Sequence, residues 1–155
     1  MTASTPPLSA PVAPPHTPTS PLVDRAADLV ISAARVVFGL AFAQHGAQKL
    51  LGWFADPATG GMQIPVGSLP WFAGVLELGG GLLLAAGLFA RPVAFLLAGM
   101  MAVAYFMAHA PRGFWPILNK GESAVLYCFA FLVLWAVGPG RYSVDALLGR
   151  GRRRR

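Results

Sequence analysis

The sequence predicts an all-α protein, a four-helix transmembrane bundle with both termini in the cytoplasm. Three observations predict it: a composition poor in charge, four apolar runs set off by proline and glycine, and basic residues collected on one side of those runs. The chain has 155 residues, of which 55% are hydrophobic and only 12% charged. Its mean hydropathy is +0.59. A soluble domain carries roughly 25% charged residues, so lipid is expected to solvate most of this surface. A buried helical protein in water is the alternative, but four such runs leave almost no polar surface to face water.

The elements follow in order. Residues 1–22 hold Pro6, Pro7, Pro11, Pro14, Pro15, Pro18 and Pro21 among Ser and Thr. That composition reads as disordered, and residues 1–28 are taken as a Pro-rich N-terminal segment. It lacks the basic start and apolar centre of a secretory signal. The first apolar run is Leu29 to Leu51, about 23 residues, enough to span a bilayer, with Asp28 as its expected N-cap. The second is Trp71 to Ala90, between Pro70 and Arg91-Pro92. The third runs from Pro92, a good first-turn residue, to Ala110 before Pro111. The fourth, Glu122 to Gly138, is stopped by Gly138-Pro139-Gly140. A membrane domain over 29–147 and a basic tail over 148–155 complete the expected organisation.

Charge sets the expected orientation. The net charge is +6, and Arg152, Arg153, Arg154 and Arg155 form a terminal run. Beside an apolar helix that run is expected to face anionic lipid, and no nucleic-acid partner is expected. Arg25, Arg91, Arg141, Arg150 and the tail fall on one side, against Lys49, Arg112 and Lys120 on the other. The richer side should be cytoplasmic. Loops 52–70 and 111–121 then face outward, with Trp53, Phe54, Trp71, Phe114 and Trp115 as interfacial aromatics. The single cysteine, Cys128, can form no internal disulfide and reads as a packing residue.

Ionisable groups inside the spans need a reason, since lipid penalises a central charge by about 2.5–3.5 kcal/mol on insertion scales. Helix 1 carries Arg35, His45, Gln48 and Lys49, helix 2 Glu77, helix 3 His109, and helix 4 begins at Glu122. At 1.5 Å per residue, Glu77 lies ~9 Å below the outer end of its helix, with His45 at a similar height. Gln48, Lys49, His109 and Glu122 sit higher, so the groups are expected to converge in the outer leaflet. Arg35 stands apart, near the cytoplasmic end. Arg35, Phe38, Gly39, Phe42, Gly46 and Lys49 share one helical face, and the glycines there permit close helix approach. Gly79, Gly80 and Gly81 are expected to do the same on helix 2.

Three readings of these groups stand together. In the structural one, Lys49 is neutralised by Glu77 or Glu122, and Arg35 snorkels to the headgroups. In the functional one, the cluster binds a ligand or moves protons. In the third, His45, His109, Glu77 and Glu122 ligate a metal, which Lys49 and Arg112 would oppose.

The pattern Arg35-x3-Gly39-x5-His45-Gly46-x2-Lys49-Leu50 resembles the first helix of the DoxX family of bacterial membrane proteins. So do Glu77 with Gly79-Gly80, the Leu82 to Gly87 run, Asn119-x-Gly121-Glu122, and the closing Gly138-Pro139-Gly140-Arg141-Tyr142-Ser143-Val144-Asp145. The resemblance covers about residues 29–147. It implies a four-helix protein of the bacterial inner membrane. The family takes its name from a subunit of a thiosulfate:quinone oxidoreductase, and some relatives are linked to thiol-redox complexes. It supplies no settled catalytic residues. The sequence holds no C-x-x-C-H, no C-x-x-C and no nucleotide fingerprint, so the expected electron carrier is a quinone or the cofactor of a soluble redox partner.

The expected function is therefore a redox-associated membrane subunit whose cluster binds a quinone-like headgroup through His45 or Lys49, with Glu77 relaying a proton. A non-enzymatic scaffold is the second reading. An oligomeric small-solute permease is the third, since four helices are few for one chain. A pseudo-twofold repeat is a further expectation, with His45 and Glu77 of the first hairpin equivalent to His109 and Glu122 of the second.

Overall fold

The structure, a computed structural model, describes residues 20–54 and 64–149. Residues 1–19 and the Arg152–Arg155 tail lie outside the described residues, as do the expectations placed on them. Every regular element described is helical.

Helix α1 spans Pro21–Leu51. It begins eight residues before the expected start, because Ser20, not Asp28, is the N-cap. The Ser20 hydroxyl accepts from the Val23 N–H at 3.4 Å. Pro21 occupies the first turn, where its missing N–H costs nothing. The proline that argued for disorder thus starts the helix. At 1.5 Å per residue α1 is ~46 Å long, more than the ~30 Å hydrocarbon core.

Helix α2, Leu69–Ala86, is capped by the Ser68 hydroxyl and ends at Gly87, whose φ of 71° only glycine adopts freely. Helix α3 covers Ala90–Ala104. It runs into a π-helical turn, Tyr105–His109, and a 3-10 turn, Ala110–Arg112. The short α4, Pro116–Asn119, leads to α5, Glu122–Val137, and α6 is Val144–Leu147.

Three of these segments are long and apolar enough to cross a membrane: Pro21–Leu51, Leu69–Ala86 and Ala90–Arg112. The fourth, α5, has 16 residues and rises only ~24 Å. It covers the fourth run almost as expected, while α4 lies within the expected loop 111–121.

Helix α1 packs closely on α2, and α3 on α5. The first pair is fixed by glycine. A Cβ on Gly46 would lie 2.3 Å from the Leu78 nitrogen, and one on Gly39 2.6 Å from the Ala85 nitrogen. Gly81 answers from α2, against the Gly39 oxygen and Ala43. Gly80 instead admits Leu97 of α3, and Gly79 faces open space, so two glycines of the three permit the close helix approach expected of all. Arg35, Gly39, Phe42 and Gly46 are buried as a face, but Phe38 is 37% exposed. Phe42, Leu84, Leu97, Met101, Phe131 and Leu134 join the hairpins in one core. Large apolar side chains outside it, among them Leu29, Val37, Leu82, Phe95, Leu126 and Phe129, are exposed all round the bundle. That is the surface a bilayer solvates.

Candidate functional site

The ionisable groups separate into three places rather than one cluster. The first is an ion pair. Lys49 Nζ lies 2.5 Å from Glu77 Oε1. Helix geometry brings these residues together. Side chains tilt toward the N-terminus of their own helix, and α1 and α2 are antiparallel. Lys49 therefore points inward from the last turn of α1, while Glu77 points back toward it. Gly74, one turn before Glu77, makes room: a Cβ there would be 3.1 Å from Lys49 Cβ. The Glu77 side chain is only 7% exposed and that of Lys49 25%. Oε1 takes the ammonium, but Oε2 is buried with no hydrogen-bond partner among the described residues. Buried polar atoms are nearly always satisfied, so this oxygen is the exception that marks the site.

The second place lies at the same end, on the other hairpin. His109 Nδ1 is 3.2 Å from the Asn119 carbonyl, and its ring stacks on Tyr105. Buried Asn119 donates to the Tyr105 hydroxyl and the Gly113 carbonyl, and accepts from the Gly121 N–H. The Tyr105 hydroxyl donates to the Phe114 carbonyl. This knot ties loop 113–121 to the π-helical end of α3.

The third place is the opposite end, built on Arg35. The guanidinium does not snorkel. At 2% exposure it is among the most buried side chains. Nε donates to the Pro139 carbonyl at 2.9 Å, Nη2 to Tyr142 at 2.7 Å, and Nη1 to Leu84 at 2.7 Å and to Ala85. A buried cation is better placed among carbonyls at the C-terminus of α2, the negative end of its dipole, than drawn past them. Asp145 completes the junction, accepting from the Phe89 and Ala90 N–H groups at the start of α3. The turn between α2 and α3 is thus held at both helix ends.

The remaining candidates stand apart. His45 is exposed, its ring edge-on to Tyr127 at 6.0 Å. Among the described residues Gln48 reaches the Phe54 carbonyl, at 3.5 Å. Glu122 is exposed in the first turn of α5. Among the described residues no three His, Cys, Asp or Glu side chains gather as metal ligands. The proposed repeat is not matched in chemistry. Glu77 is buried and paired while Glu122 is exposed. The chain at His109 leaves α-helical geometry, whereas α1 keeps it past His45 to Leu51.

Asn119, Tyr105 and Asp145 were not singled out as functional positions from sequence. Asn119 and Asp145 stand inside quoted motifs, and that was the available signal. Tyr105 carries no such signal.

A multi-helix membrane bundle with an ion pair in one hairpin and a buried arginine junction at the other end defines the class. The chain belongs to the DoxX family: the DoxX family model matches residues 30–110. It is 41% identical over 114 residues to an uncharacterised protein of Haemophilus influenzae, covering 72% of this chain and 84% of that one. It is 28% identical over 130 residues to the inner membrane protein YqjF of Escherichia coli strain K12, covering 79% of this chain and 95% of that one. No solved structure matches it. The protein is a multi-pass protein of the bacterial inner membrane, and its lipid-facing helices contact the bilayer.

Proposed function

We propose that the chain is a four-span subunit of a redox-linked system in which the Lys49–Glu77 pair binds the headgroup of a quinone or its reduced, hydroxyl-bearing form. The observation that carries this reading is the unpartnered Glu77 Oε2 beside an ammonium. The residues fit such a group. Oε2 offers an acceptor for a hydroxyl, and Lys49, one-quarter exposed, has further N–H donors for a ring oxygen. A bound quinone would supply two-electron chemistry, and the chain would orient its headgroup and hold a proton at Glu77. The electrons would come from a soluble redox partner.

In this reading α5 is the fourth span, and both ends of the chain are cytoplasmic. The middle of α1, the end of α2, the start of α3 and the segment after α5 all meet at the Arg35 junction, where Pro139 and Tyr142 bond to Arg35. That end also carries Arg25, Arg91 and Arg141, as cytoplasmic ends do. A reporter active only in the cytoplasm, fused after Arg155, should be active, and outward activity of that fusion would overturn the topology. The site is tested by titrating the purified protein and its Lys49→Met/Glu77→Met variant with a short-chain ubiquinone and its hydroquinone. The wild type should bind and the variant should not.

A structural lock is the second reading, favoured by the close Lys49–Glu77 contact itself. It predicts the same titration for both proteins.

A further inference from the structure

We propose that the groove between α3 and α5 at the Arg91 end holds an anionic glycerophospholipid, its phosphate on Arg91 and its acyl chains on Phe95 and Trp135. Arg91 is exposed on the first turn of α3, yet its guanidinium is fixed. Nη1 donates to the Trp135 and Ala136 carbonyls at 2.8 and 3.1 Å, and Nη2 to Val137 at 3.4 Å. These bonds use both Nη1 hydrogens and one of Nη2. The Nε hydrogen and the second Nη2 hydrogen remain, two donors on one edge of a planar fork. Such an edge pairs bidentately with phosphate.

Gly138 has φ 94°, and a Cβ there would lie 3.0 Å from Nη2 and 3.3 Å from Nε. A side chain at 138 would crowd the guanidinium, and glycine keeps that side of it clear of a Cβ. Among the described residues no carboxylate lies within salt-bridge distance of Arg91. One turn further into the bilayer from Arg91 comes Phe95, whose ring meets that of Trp135 at 5.5 Å. Both are largely exposed, at 58% and 44%. A fixed cation at the rim above an aromatic pair at acyl depth fits a lipid with a negative headgroup, and basic pockets between helices hold such lipids. The site is independent of the Lys49–Glu77 pair at the other end.

Native mass spectrometry of the full chain in nonionic detergent tests this, with phosphatidylglycerol, phosphatidylcholine or inorganic phosphate added. The wild type should retain one phosphatidylglycerol in preference to phosphatidylcholine, and inorganic phosphate should not displace it. Arg91→Lys keeps the charge but loses the fork, and Trp135→Leu removes the aromatic floor. Each should lower retention about tenfold, the equivalent of ~1.4 kcal/mol. Arg141→Gln, at the same end, should leave retention unchanged. Equal retention of the two lipids, or equal retention by wild type and Trp135→Leu, would overturn the proposal. If Arg91→Lys does not fold, Trp135→Leu and the lipid preference still decide. Displacement by inorganic phosphate would show a simple anion site and overturn the lipid assignment.

Discussion

Replacing Arg35 by Met should cost this protein much of its stability. The side chain is 2% exposed and donates to four carbonyls, on α2 and on the segment after α5. Met fills similar volume but leaves those carbonyls without their donor. Each buried group stripped of a partner costs about 1–3 kcal/mol. The helix-end carbonyls of α2 regain some water or headgroup contact, which brings the expected sum to about 3–5 kcal/mol, the range for a broken buried ionic network. For a chain of this size about 1 kcal/mol shifts the melting temperature by roughly 2–4 °C, so the loss should be about 6–20 °C. Cys128 supplies the assay. It is the one cysteine in the chain, partly buried in α5, and its reaction with a fluorogenic maleimide reports opening of the bundle on heating. Arg35→Lys should fall between, since an ammonium keeps the charge without the planar fork. An Arg35→Met protein melting within about 2 °C of wild type, under ~1 kcal/mol, would refute the junction as the source of stability.

Gly46→Leu should prevent folding, because its Cβ would meet α2 backbone at 2.3 Å, while Gly79→Ala meets nothing within 4 Å and should gain up to ~1 kcal/mol of helix propensity; yield and thermal melts of the two check this. Asp145→Ala removes the acceptor for the Phe89 and Ala90 N–H groups. It should cost about 1–2 kcal/mol, as loss of a helix cap does, and should speed proteolysis of the segment after Gly138.

Much of the fold could be read from the sequence because lipid imposes a simple rule. Apolar length marks a helix, and Gly39 and Gly46 on one face mark the close neighbour. The start of α1 was misplaced because proline was weighed as a breaker, although Ser20-Pro21 is also a helix start. The pairing of Lys49 with Glu77 was among the expected readings, since both depths follow from counting residues along antiparallel helices. Convergence of His45, His109 and Glu122 was expected from depth too, but depth says nothing of rotation about the helix axis, and they face different surroundings. The burial of Arg35 depends on carbonyls about 50 and 105 positions away in the chain. Its partners are backbone atoms, which no residue pattern names. The π-helical turn at Tyr105 likewise answers to Asn119, across a loop.

The central claim is that the Lys49–Glu77 pair holds a ligand and does more than lock two helices. Mass spectrometry of the small molecules that copurify with wild type and with Lys49→Met/Glu77→Met, each in detergent and each with its melting temperature, tests it most directly. Replacing a buried ion pair by apolar residues of similar size is often neutral or stabilising, so the variant should melt no lower than wild type. The wild type should carry a quinone or hydroquinone that is lost from the variant. A wild type carrying none, or the same molecule at the same level in both proteins, would contradict the claim.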